Sequence, residues 1–419
     1  MADAQDFSAI DDVKRYDRQI RLWGAATQRG IQGAKVLVLG ANGLSNEVCK
    51  NLVLAGVGTV VIQDADVLTE ADLTASALFS VDSKRVGVSR AQLLTEQLKD
   101  MNPSVKLDFE HAKVSSFDDA FLRAFHYIIC ASRGAEALRE AALCTSVLEG
   151  RGGADEVTGE APDEPPAKRH RANGDSGPAL ARNNGAHLVV PLRALCERGS
   201  EPMPRCIACG TIGLEGFCFF DLGESRCVLA AKRPSAEAAA SEPPPADVSE
   251  RAYYPTIASA SAVEWPALTN RVPRVYHGLQ LLLHASGTSA PTAAPTADAT
   301  SLLPAGASKL LVERLQAMLT KRAELLHGEG KAGVAEGVTA AYLAELAQNS
   351  GYELAPVCAV VGGMVANEVI KVISGKERPI NNTFFFDGKS CDGVCVRLGP
   401  SFDCPWGLDK GDYKALAPP

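Results

Sequence analysis

The run from Val36 to Asp66, VLVLGANGLSNEVCKNLVLAGVGTVVIQDAD, constrains the fold more than any other part of the chain. A β-branched apolar run is followed by a glycine-bearing turn, a stretch with apolar residues at helical spacing, and a second β-branched run. This reads as two parallel strands joined by a helix, because parallel neighbours need a crossover to bring the chain back to the same end of the sheet. The pattern recurs from Tyr16 to Val147: AKVLVLG, a helix to Ala55, GTVVIQD, a helix around Ser89 to Met101, VKLDFEHAK, a helix near Phe117 to Arg123, then HYIICAS. Its repetition predicts the α/β class, with a doubly wound, mainly parallel sheet covered by helices on both faces.

In a Rossmann-like unit of this kind the turn after the first strand is the place to look for a nucleotide site. A G-x-G-x-x-G turn works because its glycines make the tight bend, admit the pyrophosphate to the backbone, and let the helix sit close to its strand. Gly40 is kept here and Gly43 is added, but Asn42 and Ser45 stand at the second and third glycine positions. Asn42 tolerates left-handed backbone better than most residues, yet its side chain intrudes on the close approach. Ser45 is small enough to keep the helix near the sheet, and Asp64, closing the next strand, could accept hydrogen bonds from a ribose. These residues alone leave two readings open: a working nucleotide loop, and a turn retained only for the fold.

Beyond Val147 the composition changes. Gly150 to Asn184 is rich in Gly, Pro, Asp and Glu around PPAKRHR and nearly lacks large apolar residues, which predicts a disordered insertion. AHLVVPLRALCERG then predicts a helix, and CIACGTIGLEGFCFFDL two strands about a glycine turn, continuing the same sheet. Ala236 to Glu250, with EPPPAD, and Ala285 to Ala307 are low-complexity stretches around the helical segments RVYHGLQLLLHA and SKLLVERLQAMLTKRAELL. LAPVCAVVGGMVANEVIKVISGKERPINNTFFFDG predicts a small-residue helix stopped at Ser374-Gly375, a Pro-containing turn and an aromatic strand. The implied organisation is 12–149, 185–232 and 346–400 as three parts of one fold, 150–184 as the insertion, 233–345 as a helical region broken by Ala/Pro-rich linkers, and 401–419 as a flexible tail.

Charge and cysteine usage narrow the function classes. A net charge of -8 and a pI near 5.5 produce a field that repels phosphate, so neither nucleic acid nor an anionic membrane is an expected partner. No apolar run is expected to span a bilayer, and the acidic start MADAQDFSAIDDVKRYDRQ lacks the form of a signal peptide. The 12 cysteines are scattered through strand-like and helix-like segments, as reduced core-filling residues are, so no disulfide framework is expected. Cys206 with Cys209 and Cys391 with Cys395 would admit one tetrahedral zinc on spacing alone. CIAC has the pattern of a buried strand, however, the histidines form no motif, and no metal site is expected.

YDRQIRLWG, from Tyr16 to Gly24, and APVCAVVGGMVANEVIK ahead of NNTFFFDG resemble the ubiquitin-like-protein activating enzymes of the ThiF/MoeB-like adenylation fold. Within that family they are most similar to the smaller, regulatory subunit of the heterodimeric SUMO-activating enzyme. The resemblance covers roughly Asp12 to Val147 and Leu192 to Pro400. It implies an obligate pair of related folds, of which only the larger, catalytic partner binds MgATP, adenylates the C-terminus of SUMO and takes it as a thioester on a cysteine. The SUMO-conjugating enzyme is reached through that partner.

Compared residue by residue, the resemblance implies that this chain's own pocket is vestigial. Active halves keep Gly-x-Gly-Gly-x-Gly where this chain has Gly40-Ala41-Asn42-Gly43-Leu44-Ser45, and they follow Asp64 with an Asn-x-x-Arg-Gln stretch that DADVLTEADLTASALF lacks. A lysine further on is replaced by Arg90, and an Asp-Asn pair by CASRGA, which removes the usual metal-holding carboxylate. The same resemblance sets Arg18 beside the ATP phosphates of the partner, with Arg21 as the second candidate. A guanidinium suits that place because it stays charged and makes forked bonds to phosphate oxygens. Without the resemblance both arginines would read as the wet face of a helix whose Ile20, Leu22 and Trp23 pack.

No cysteine lies between Val228 and Val357, and no catalytic cysteine is expected in this chain. The basic cluster at 168–171 reads as a nuclear-import signal, so the nucleus, with the cytoplasm also open, is the expected location. Two rival readings are a regulatory subunit of the neddylation type, which carries a longer helical insertion, and a self-sufficient sulfur-carrier adenylyltransferase, which needs the missing Asn, Arg and Asp. A third, a nicotinamide-dependent oxidoreductase, does not account for YDRQIRLWG.

Overall fold

The computed structural model describes residues 14–75, 85–150, 203–229, 248–285 and 307–399. Helices α1 (Asp17–Trp23) and α2 (Ala25–Gly33) lead into β1 (Lys35–Leu39), α3 (Gly43–Ala55), β2 (Thr59–Gln63), α4 (Glu70–Ala75), α5 (Arg90–Leu98), β3 (Lys106–Glu110), α6 (Asp119–Arg123), β4 (Tyr127–Cys130) and α7 (Glu136–Leu148). There follow β5 (Arg205–Ile212), β6 (Glu215–Asp221), β7 (Glu224–Leu229), β8 (Val248–Tyr253), α8 (Ile257–Ser261), α9 (Arg274–Ala285), α10 (Ala307–Gly328), α11 (Ala340–Asn349), α12 (Ala355–Ser374), β9 (Thr383–Asp387) and β10 (Asp392–Val396).

One sheet of 8 strands runs in the order β10-β9-β6-β5-β4-β1-β2-β3. The five strands from β3 to β5 are parallel, and β6, β9 and β10 are added antiparallel at the other edge. The central strands are buried on both faces, which is why VLVL and YIIC are continuous apolar runs without alternation. Val36, Val38, Ile129 and Cys209 face the layer made by α2, α3, α5 and α12. Leu37, Leu39, Ile128, Cys130 and Cys206 face the layer made by α6 to α11. The expected doubly wound architecture is therefore present, and β7 and β8 form a separate antiparallel pair.

α12 is the core helix of the first layer. Gly362 lies against α3 so closely that a Cβ there would meet Glu47 Cβ at 2.7 Å and Val48 N at 3.0 Å. The helix stops at Gly375, left-handed, whose N–H returns to the Lys371 carbonyl, as Ser374-Gly375 predicted. By length and composition alone α12 could cross a membrane, contrary to the expectation that no apolar run reaches that length. Half of its apolar window is buried inside the fold, against α3, β5 and β6, which is the setting of a core helix. Ala355, Pro356, Ala359, Val360 and Asn367 make its outer, exposed stripe.

All ten cysteines among the described residues are free thiols; eight are buried, while Cys391 and Cys395 are exposed. Cys206 and Cys209 point to opposite faces of β5 and cannot converge on one ion. The expected insertion with its basic cluster at 168–171, the expected helix in AHLVVPLRALCERG, most of the two later low-complexity stretches and the tail after Pro400 lie outside the described residues. β8 begins at Val248, inside the second stretch expected to be low-complexity.

Candidate functional site

The strand order reverses between β1 and β4, and the crevice at their carboxyl ends is where a doubly wound sheet receives ligands. Gly40 leaves β1 with φ of 90°, and a Cβ on it would meet Ser132 Oγ at 2.9 Å and Ser132 Cα at 3.1 Å. Only glycine combines that backbone with so close a passage over the end of β4. Asn42 then caps α3. Its Oδ1 accepts the Ser45 N–H at 2.9 Å, and Ser45 Oγ accepts the Asn42 N–H at 2.7 Å, a reciprocal capping box. The Asn42 backbone is extended, with φ of -149°, so its tolerance of left-handed geometry is not what the position uses. Its Nδ2 donates to the Ala131 carbonyl at 2.5 Å, and the amide thereby fills the gap between the ends of β1 and β4.

The other groups that a nucleotide would need are engaged as well. The Gly43 N–H, at the first position of α3, donates to Glu353 Oε2 at 2.8 Å. This buried carboxylate sits where the aligned amides of a helix N-terminus attract an anion. Its segment is pinned by a bridge between Glu353 and Gly213 and by the Gly213 N–H, which donates to the Tyr352 carbonyl at 3.1 Å. Asp64 Oδ2 accepts the Ala41 N–H at 2.8 Å and Oδ1 accepts the Asp66 N–H at 2.9 Å. Arg90 forks onto the same carboxylate, with Nε 3.1 Å from Oδ2 and an Nη 3.0 Å from Oδ1. It also reaches Asp66 at 2.9 Å and Asp72 at 3.5 Å, and Arg133 holds Asp72 at 2.8 Å.

The electrostatics follow from these contacts. Burial alone would raise the Asp72 carboxyl, but hydrogen bonds from Thr69 and the Arg133 guanidinium outweigh it and hold the group below the usual range. Burial would also lower Arg90, and Asp64, Asp66 and Asp72 together reverse the sign. Glu140 on α7 takes a 2.6 Å hydrogen bond from Ser132 Oγ. Burial pushes its carboxyl up to about 8 against the opposing pull of that hydroxyl. Ser132 and Arg133 lie within CASRGA, the stretch that stands where the family resemblance implies a metal-holding Asp-Asn pair.

The two arginines of the N-terminal motif lie apart from this network. α1 has no buried residue, and Leu22 is 75% exposed, contrary to the expectation that it packs. A helix of 7 residues rests on the fold by one edge, and Ile20 and Trp23, half-buried, form that edge. Arg21 pairs with Asp17 one turn earlier at 2.9 Å. Arg18 is exposed and has no hydrogen bond or ion pair among the described residues.

Residues 16–140 match the sequence profile of the ThiF family. The chain is similar to that family over this segment. Over almost its whole length it is similar to proteins named SUMO-activating enzyme subunit 1. That of Rattus norvegicus is 25% identical over 408 residues, covering 93% of this chain and 95% of the relative. That of Dictyostelium discoideum is 23% identical, over 91% and 92%. Subunit 1B-1 of Arabidopsis thaliana is 28% identical, over 91% and 95%.

The crevice of this chain does not fit MgATP. The first amide of α3 already carries a carboxylate, the ribose-binding candidate Asp64 carries a guanidinium, and Ser132 and Arg133 supply no metal-binding oxygen anion. Gly40, Asn42, Gly43, Ser45 and Asp64 do converge on one place, as their spacing predicted. Sequence reasoning noted Arg90 as a replaced lysine but not as the partner of Asp64, and it missed Glu353, Glu140 and Arg133. Glu353 carries one signal in the sequence: it stands immediately before the small-residue run LAPVCAVVGGMVANEVIK.

Proposed function

We propose that the chain is the smaller, non-thioester-forming subunit of a SUMO-activating enzyme. It pairs with a larger subunit that binds MgATP; the SUMO terminal carboxylate displaces pyrophosphate from ATP, and the acyl group then passes from AMP to a cysteine of that subunit. This chain contributes the dimer scaffold and Arg18, set in trans beside the partner's ATP phosphates, while its own crevice takes no part in nucleotide chemistry. Nuclear import through the 168–171 cluster belongs to the same reading.

The observation that carries the proposal is a contrast within one molecule. The Gly43 amide and the Asp64 carboxylate, the crevice groups suited to a nucleotide, have internal partners, whereas Arg18, on the segment that resembles the family's trans-acting motif, has none among the described residues. A guanidinium left in water on a structured helix is available to an external anion. The test is co-purification with candidate larger subunits, followed by ATP–pyrophosphate exchange with SUMO and with other modifiers. Exchange by the isolated chain, or exchange by the complex with another modifier in preference to SUMO, would overturn it.

A further inference from the structure

α1 has no buried side chain of its own, so something outside it must fix where Arg18 stands. The residue immediately before the helix differs in kind: Tyr16 is 1% exposed, and its hydroxyl accepts Asn102 Nδ2 at 2.8 Å. Asn102, between α5 and β3, is 2% exposed and fully engaged. Nδ2 also donates to the Val53 carbonyl at 2.7 Å, while Oδ1 accepts Arg15 Nη1 at 2.9 Å and the Ser104 N–H at 3.2 Å. Two donors and two lone pairs are all that a side-chain amide offers. The far end of α1 is held in the same manner, since Trp23 Nε1 donates to Gln28 Oε1 at 3.2 Å and Gln28 Nε2 donates to the Ala55 carbonyl at 3.0 Å. Val53 and Ala55 lie in the last turn of α3, where carbonyls have no i+4 helical donor, although the Val53 carbonyl also accepts the Gly56 N–H at 3.0 Å.

We infer that Asn102 is a positioning residue for Arg18: it clamps Tyr16 to the C-terminal carbonyls of α3 and so sets the place from which α1 presents its arginine. This deepens the proposed function and rests on its reading of Arg18. An unclamped α1 would still carry the guanidinium, but spread over many positions, and electrostatic stabilisation of a transition state depends on groups already in place.

The experiment is a double-mutant cycle in the purified heterodimer, with hydrogen exchange of the full chain beside it. Asn102→Ala should slow pyrophosphate exchange roughly three- to thirtyfold when Arg18 is present, and less than about twofold in an Arg18→Ala background, because residues that act as a unit are not additive. Tyr16→Phe, which removes only the accepting oxygen, should show the same pattern more weakly and serves if Asn102→Ala folds poorly. The α1 amides should exchange several-fold faster in Asn102→Ala while those of β1 stay protected. Equal slowing in both backgrounds, or unchanged α1 protection, overturns the inference. If Arg18→Ala itself exchanges at the wild-type rate, the reading of Arg18 fails, and the α1 protection data still decide whether Asn102 is the clamp.

Discussion

Glu353 Oε2 accepts the Gly43 N–H at 2.8 Å across 310 positions of sequence, so the anion that the N-terminus of α3 attracts is one the chain supplies itself. Glu353→Ala should destabilise the chain by about 1–3 kcal/mol through the lost charge-assisted bond and the bared amide. Inorganic phosphate or formate at tens of millimolar, roughly the range for such weak anion sites, should restore part of the melting temperature in Glu353→Ala and not in the wild type. An equal response in both proteins would mean that the carboxylate does not occupy that amide.

On the proposed function, Arg18→Ala should leave the heterodimer assembled, because Ile20 and Trp23, which form the edge of α1, are untouched. Adenylation should slow by roughly ten- to a thousandfold, and Arg18→Lys should recover only part of it. Arg21 is committed to Asp17 within its own helix, so Arg21→Ala should cost far less. Pyrophosphate exchange separates the three variants.

Arg90 is expected to hold the crevice together rather than to bind anything. Its removal leaves Asp64 and Asp72, whose side chains are 6% and 3% exposed, short of their shared cation. Arg90→Ala should therefore cost about 3 kcal/mol in denaturant unfolding, as breaking a buried pair does, and Arg90→Lys should restore a minority of it. A variant as stable as the wild type would show the network to be replaceable by water.

Glu140 should make the chain less stable as pH rises toward 8. Its carboxyl is raised from 4.5 to about 8 in the folded state, so between those values the folded protein keeps a proton that the unfolded chain has released. The stability that this group contributes is complete below about pH 4.5 and falls as pH rises toward 8. Glu140→Gln cannot ionise, so its stability relative to wild type should increase from pH 6 to pH 8.5. Parallel curves for the two proteins in denaturant titrations at both pH values would show that the carboxyl is not held protonated.

The parallel half of the sheet was legible because each strand and helix from β1 to β4 carries its own period. The stop at Gly375 was legible from one dipeptide, and the loop at Gly40 from glycine chemistry. What fills the crevice was not. Glu353, Arg90 and Asn102 are polar residues whose partners are distant in sequence, and no periodicity marks a pairing between residues 43 and 353. α11 escaped notice because AAYLAELAQN has few large apolar residues, although Tyr342, Leu343 and Leu346 bury one face of it. Leu22 misled for the opposite reason: an apolar residue beside Trp23 reads as packed, and here it lies on the open side of a short helix.

The outer stripe of α12 bears on how the chain would behave if it were made in excess. Ala355, Pro356, Ala359, Val360 and Asn367 face water there without a charge among them, in a protein whose net charge is -8. Like charge keeps copies of a protein apart in crowded solution, and an uncharged strip is where that protection lapses. On the proposed pairing, that strip is where surplus copies of this chain would be least protected from one another. The ratio in which the two subunits are synthesised would then act on solubility as directly as on catalytic output.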